Sequence, residues 1–364
     1  MKMLQAEGFE VFAVAKTDRP GTRELLETEG IRCIEVPFSR SPFSLSNLKT
    51  YRALRKILRE TRFDIVHLHT PAAAFIARMA ARNTRQCPIL YTVHGFHFYR
   101  GAPCSNWLLF YSAEKLSRRW TDAIITMNSE DFDNAKRLGY EPGRSLFFTH
   151  GVGVNTEVYS PSESKRAVTR KRLMISDKEV VFVSIGEINK NKNHEWLLKV
   201  WKSLNENDIR LLIAGNGPGE KALANSIRGG GLHNVHFLGY RSDVHDLLAA
   251  SDVLVSVSKR EGLPRNVMEA MATGLPVIGT NVRGTRDLIM HRDTGLLIDP
   301  GDDNTLRDAL KLMIEDSDLR KNMGSNARKA IIQYSEQNVV EEVRNIYSVF
   351  GLFENSRGSE QHGQ

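Results

Sequence analysis

The chain has 364 residues, 41% of them hydrophobic and 26% charged, with a formal net charge of +7. That length accommodates two ordinary domains, and the composition excludes a disordered, fibrous or collagen-like chain. Three cysteines, Cys33, Cys87 and Cys104, are odd in number and lack paired metal-ligand spacing, which argues against a disulfide framework or a cysteine zinc site and for a reducing cytoplasm.

Taken in chain order, Met1–Ala6 reads as the back end of an amphipathic helix closed by Gly8 and followed at once by a strand. A doubly wound domain opens with a central strand and a Gly-containing loop ahead of that helix, so both are expected to be lacking and the chain to be a truncation or to begin at an internal methionine. Short β-rich runs then alternate with amphipathic stretches. Strands are predicted near Glu10–Ala15, Arg32–Val36, Asp64–Leu68, Ile89–Val93, Ala123–Met127 and Leu146–Thr149. After Gly151-Val-Gly-Val-Asn155 and a polar stretch with Pro161, Ser162 and Ser164, read as a hinge, they recur near Val180–Ile185, Arg210–Ala214, Val235–Phe237, Val253–Ser256, Pro276–Gly279 and Leu296–Ile298. The fold class is therefore α/β, with two Rossmann-like doubly wound domains at residues 1–152 and 153–335. The last helical pattern, about 336–350, is expected to pack back on the first domain, and 354–364 to be a disordered tail.

No run approaches the roughly 18 consecutive apolar residues of a membrane-spanning helix, and the start lacks a signal-peptide stretch. The charge is uneven. Residues 1–150 hold 22 Lys+Arg against 15 Asp+Glu, and the remainder balances at 28 against 28. The excess concentrates in Arg52, Arg55, Lys56, Arg59, Arg62, Arg78, Arg82, Arg85 and Arg100. Such a surface suits anionic lipid headgroups or a phosphate-bearing acceptor, or is a solvated helix face. No nucleic-acid module accompanies it. The expected location is cytoplasmic, with peripheral contact at the inner face of the plasma membrane.

The sharpest motif is Glu261-Gly-Leu-Pro-Arg-Asn-Val-Met-Glu269, with the first acid in a loop after an apolar strand and the second inside the next helix. Pro264 suits the first helical turn, where free backbone amides bind phosphate readily. By spacing alone the two acids are equally a helix-start charge and a surface residue.

With Asp64-Ile-Val-His-Leu-His-Thr-Pro71, Tyr91-Thr-Val-His-Gly-Phe-His-Phe98 and Gly186-Glu-Ile-Asn-Lys-Asn-Lys-Asn-His194, this motif resembles the retaining glycosyltransferases of family 4, of GT-B fold, and among them bacterial capsular and exopolysaccharide (biofilm) transferases. The resemblance implies that Glu261 contacts donor-sugar hydroxyls, that the backbone of Gly262, Leu263, Asn266 and Val267 contacts sugar and diphosphate, and that Glu269 binds the ribose. It makes Lys192, six residues after Gly186, the diphosphate lysine. His94 then lies beside the donor sugar. Gly215-Asn-Gly217 is a backbone-exposing turn, and Phe237-Leu-Gly239-Tyr240-Arg241 resembles the base-contacting segment. Glu187 departs from the pattern, which has arginine there, and Arg265 is hypothesised to supply the missing cation.

His67, His69 and His97 lie near His94 at strand ends and invite a metal reading, but no thiolate or carboxylate of ligand spacing accompanies them and the resemblance implies neither a metal nor another cofactor. Asp131-Phe-Asp133 reads as helix-start acids, not a metal pair. The implied reaction moves a hexosyl unit from a nucleotide sugar, a UDP-sugar by expectation, to a glycan or polyprenyl-linked acceptor. Alternatives are a sugar-nucleotide 2-epimerase and a catalytically silent donor-binding protein. A Rossmann dehydrogenase would need a Gly-x-Gly-x-x-Gly turn that is not visible.

Overall fold

The computed structural model describes residues 1–17, 21–39, 44–82, 84, 86–204 and 206–353. Arg85 and the 354–364 tail lie outside the described residues. The chain divides into two compact units, Met1–Thr149 with Val340–Gln364, and His150–Val339.

The first unit contains β1 (Phe12–Ala15), β2 (Arg32–Glu35), β3 (Val66–Leu68), β4 (Ile89–Thr92), β5 (Ala123–Thr126) and β6 (Leu146–Phe148). Every residue of β4 and β5 is buried, which is why both read as unbroken apolar runs and not as alternating ones. β3 to β6 form one parallel sheet in chain order, whereas β1 and β2 form a separate parallel pair. The short helix Lys2–Ala6 is followed by Gly8 at a φ of +85°, and its Met3 and Leu4 pack into a cluster with Val343, Ile346 and Tyr347 of the helix Glu336–Val349.

One expectation is corrected here. Arg78 belongs to no basic surface: it is fully buried on the alanine-rich helix Pro71–Ala81. Its guanidinium donates to both carboxylate oxygens of Glu114, at 2.8 and 3.0 Å, and lies 4.5 Å from the centre of the Tyr91 ring. A buried cation is tolerable only when paired and hydrogen-bonded in this way. The basic face is carried instead by Arg52, Arg55, Lys56 and Arg59 of the helix Ser46–Glu60, beside an open cavity of about 460 Å³.

The second unit contains β7 (Val180–Ile185), β8 (Ile209–Ala214), β9 (Val235–Gly239), β10 (Val253–Ser256), β11 (Val277–Thr280) and β12 (Gly295–Ile298). They make one parallel sheet in the order β12-β11-β10-β7-β8-β9. Its first strand is central and the order reverses on either side of it, the arrangement that puts ligands beyond the carboxyl ends of the strands at the switch point. Apolar layers cover both faces, one centred on Phe182, Leu211 and Leu310, the other on Val183, Leu254 and Met271. Among the described residues nothing fills in the first unit the place that β7 fills in the second: β1 and β3 are both sheet edges there.

Candidate active site

The loops after β7 and β10 meet at the switch point of the second unit. The helix that follows β10 runs Arg265–Ala272, with Pro264 at its N-cap rather than inside its first turn. Proline suits this position because its fixed φ, here −75°, precedes the helix without demanding an N–H. The first amides that bond back are those of Val267 and Met268, both to the Pro264 carbonyl, so the amides of Arg265 and Asn266 lie ahead of the helical ladder. Val267 thus commits its amide to the helix, and its side chain is core.

Asn266 anchors this helix start by donating from Nδ2 to the carbonyl of Ile185, the last residue of β7, at 2.8 Å. Asn191 donates from Nδ2 to the Arg260 carbonyl, at 3.1 Å, and accepts from the Lys259 amide, at 2.8 Å. These bonds lay Lys192 across Gly186 and bring its Nζ to 2.7 Å from Glu261 Oε1. The two side chains are 19% and 13% exposed. Glu269 is buried, with Oε1 accepting from Arg265 Nε at 3.0 Å. Burial pushes the Glu269 carboxyl up, against the pull of Arg265. The same burial, with the acid beside it, pushes Tyr159 up to about 12.

Two residues not anticipated from the sequence complete the loop. Arg283, buried, donates from Nε to the Glu261 carbonyl at 3.1 Å. Gly284, at a φ of +77°, presses against the Gly262 carbonyl so closely that a Cβ would stand 2.2 Å from that oxygen. The signal was Asn281-Val-Arg-Gly-Thr285 directly after an apolar strand, a turn that only glycine can close at this approach.

The remaining expected donor residues are placed differently. Gly215 and Gly217 do not offer free amides: Gly215 donates to the Gly239 carbonyl at 2.8 Å and Gly217 to Glu220 Oε1 at 2.7 Å. Their role is to pack the loops after β7, β8 and β9 together, since a Cβ on Gly215 would stand 1.8 Å from the Gly186 carbonyl oxygen. Tyr240 is exposed, while Arg241 is gripped by both carboxylate oxygens of Asp243, at 2.8 and 2.6 Å. Glu187 turns outward and accepts from Asn189 Nδ2 at 2.9 Å. Leu263 is half-buried and packs on the apolar layer behind the loop.

In the first unit, His67 and His69 occupy the carboxyl end of β3 and His94 follows β4. His69 Nδ1 and His94 Nε2 are 3.1 Å apart. Burial, with His69 and His94 adding to it, pushes His67 down to about 3; burial and His94 push His69 down to about 4. His94 keeps an exposed edge, and its partial burial lowers it as well. His97 stands apart, stacked on Phe110 with ring centres 4.6 Å apart. Among the described residues no group of three or more His, Cys, Asp or Glu is placed to hold a metal ion. Asp131 is buried and accepts from the Phe96 amide at 3.3 Å, whereas Asp133 points outward to Lys136 at 2.6 Å, so this pair does not converge.

The chain is similar to known proteins in sequence and fold. Residues 165–330 match the family described as glycosyl transferases group 1, and residues 1–149 match the glycosyl transferase 4-like domain. EpsD of Bacillus subtilis (strain 168), a protein named as a glycosyltransferase, is 39% identical over 325 residues, which is 86% of this chain and 84% of that protein. The Escherichia coli UDP-Gal:alpha-D-GlcNAc-diphosphoundecaprenol alpha-1,3-galactosyltransferase is 28% identical over 359 residues, 95% of this chain and 90% of that one. In fold, the crystal structure of Anabaena HepE in complex with UDP and glucose superimposes with a TM-score of 0.80 at 20% identity, covering 95% of this chain and 94% of its own. The chain belongs to the group 1, family 4-like glycosyltransferases and is built on their GT-B fold.

Proposed function

We propose that this glycosyltransferase moves a hexosyl unit from a UDP-sugar to a hydroxyl of a glycan or polyprenyl-diphosphate-linked acceptor in cell-surface polysaccharide synthesis, with retention at the anomeric carbon. The observation that carries the reading is Lys192 Nζ held 2.7 Å from Glu261 at the start of the helix Arg265–Ala272. A nucleoside diphosphate leaves with growing negative charge, and a cation beside unladdered helix amides stabilises that charge where it develops. Glu261 takes sugar hydroxyls, Glu269 the ribose, and His94 serves the transfer step. The names of the E. coli galactosyltransferase and of the HepE complex support a UDP-linked donor and a lipid-linked acceptor. Diphosphate charge is met by protein groups, so the reaction is proposed to need no metal or other cofactor.

Ligand-detected binding against a panel of nucleotide sugars, with EDTA present, tests this. UDP-hexoses are expected to bind, and both Glu261→Ala and Lys192→Ala to abolish the signal. Equal binding by the variants, or a product of inverted anomeric configuration by NMR, overturns the reading. Epimerised nucleotide sugar formed without acceptor decides for the 2-epimerase.

The helix Ser46–Glu60 is assigned to anionic headgroups through Arg52, Arg55, Lys56 and Arg59, each basic residue near such a surface adding about 1 kcal/mol. The protein is expected to sediment with phosphatidylglycerol vesicles and Arg52→Glu with Arg55→Glu to lose most of that binding. Sedimentation unaltered by the two substitutions would remove this helix from membrane contact.

A further inference from the structure

His67, His69 and His94 form a row whose first member is fixed from outside. His67 Nε2 lies 2.6 Å from Thr92 Oγ1 and Nδ1 lies 2.6 Å from the Tyr347 hydroxyl. Two hydrogen bonds at opposite corners of a ring leave it no rotation, and a hydroxyl partner accommodates either tautomer by turning its own proton. His69, two residues further along and so on the same side of the strand, stacks on that fixed ring with centres 4.5 Å apart and planes 29° from parallel. His94 then meets His69 with ring centres 5.3 Å apart.

The contact between His69 Nδ1 and His94 Nε2, at 3.1 Å, has a chemical requirement. One nitrogen must carry a hydrogen and the other a lone pair; two hydrogens or two lone pairs would repel. Burial favours the neutral form of both rings, and the more stable tautomer of a neutral histidine side chain carries its hydrogen on Nε2. That form gives His69 a lone pair on Nδ1 and His94 a hydrogen on Nε2, so both rings satisfy the contact in their preferred tautomer.

We propose that His69 is the positioning residue for His94: its Nδ1 accepts the Nε2 hydrogen of His94, fixes the ring and tautomer of that residue, and leaves His94 Nδ1 as an acceptor for a ligand hydroxyl. The inference rests on the reading of His94 given above for its catalytic consequence, but the hydrogen bond is testable without it. His67 is the shelf on which His69 is oriented, which explains an imidazole whose two ring nitrogens are both already partnered.

Asparagine places an amide near the Nδ1 position of histidine, whereas alanine places nothing there. In the full chain, ¹⁵N shifts of the His94 ring are expected to report a single Nε2–H tautomer, to become those of an exchanging mixture in His69→Ala, and to return to one tautomer in His69→Asn. Transfer kinetics are expected to follow: kcat down about tenfold in His69→Ala, the scale of one lost hydrogen bond, with donor KM within about twofold, and most of kcat restored in His69→Asn. A His94 tautomer indifferent to His69→Ala overturns the proposal, and so does an equal loss in the alanine and asparagine variants. If His94→Ala itself leaves transfer unchanged, the catalytic reading of His94 fails, and the ¹⁵N signals alone decide whether His69 positions it.

Discussion

Lys192→Ala is expected to lower kcat/KM for the nucleotide-sugar donor by about a hundredfold or more, the scale on which removal of one preorganised group at a developing charge is felt. Lys192 reaches its place because Gly186 has no side chain: a Cβ there would stand 3.0 Å from the lysine Cε. The ammonium is thereby delivered to a mostly enclosed position beside Glu261, where its field is poorly screened by water. Nucleoside diphosphate release, followed in a coupled assay, should show the loss in both KM and kcat, since the ammonium meets the diphosphate charge in the bound donor and meets more of it as the bond to the sugar breaks. A loss under about threefold would remove Lys192 from the transition state. Arg265→Ala makes the contrast. Its side chain is 59% exposed and already bonded to Glu269, so it is expected to weaken donor binding by about tenfold with little change in kcat. Unchanged donor affinity would leave Arg265 a partner of Glu269 and nothing more, and the cation missing at Glu187 would have no replacement in this loop.

Arg78→Ala is expected to destabilise the first unit by about 3–5 kcal/mol, because it strands Glu114 as an uncompensated buried charge. The loss includes the packing of the guanidinium on Tyr91, a residue of β4 that is itself buried. Hydrogen exchange of the β4 and β5 amides measures it directly, since those strands are buried along their whole length. Replacing both partners at once, Arg78→Met with Glu114→Leu, is expected to recover most of the stability, because no charge is then left unpaired. Protection altered by less than about 1 kcal/mol in Arg78→Ala would show that water reaches Glu114 and that the pair is not the anchor its geometry suggests.

The contrast between these two residues shows what could be read from the chain alone. Lys192 can be singled out because the local spacing after Gly186 carries the resemblance that marks it. Arg78 cannot: its partner is 36 residues away, and an arginine among alanines looks like a solvated face until the fold closes over it. The strands are legible locally as well, since runs such as Ile-Leu-Tyr-Thr and Ala-Ile-Ile-Thr are apolar at every position only when both faces are covered. Gly215-Asn-Gly217 reads as a backbone-exposing turn, but nothing in the sequence says that its glycine amides are taken by Gly239 and Glu220. Arg283 was missed because it acts through the Glu261 carbonyl, 22 residues back, and side-chain-to-backbone bonds of that range leave no periodicity. The histidines could be put at strand ends, but not within 3.1 Å of one another.

The pairing of β1 with β2 apart from β3 to β6 bears on how the first unit answers to force and heat. Backbone rungs carry register from strand to strand, and in the second unit they join all six, with one shift of register between β8 and β9. In the first, among the described residues, Val14 and Ile34 join Leu68 and Ile76 only through shared grease, which resists separation but hardly resists sliding. The one behaves as a plate, the other as two overlapping shingles.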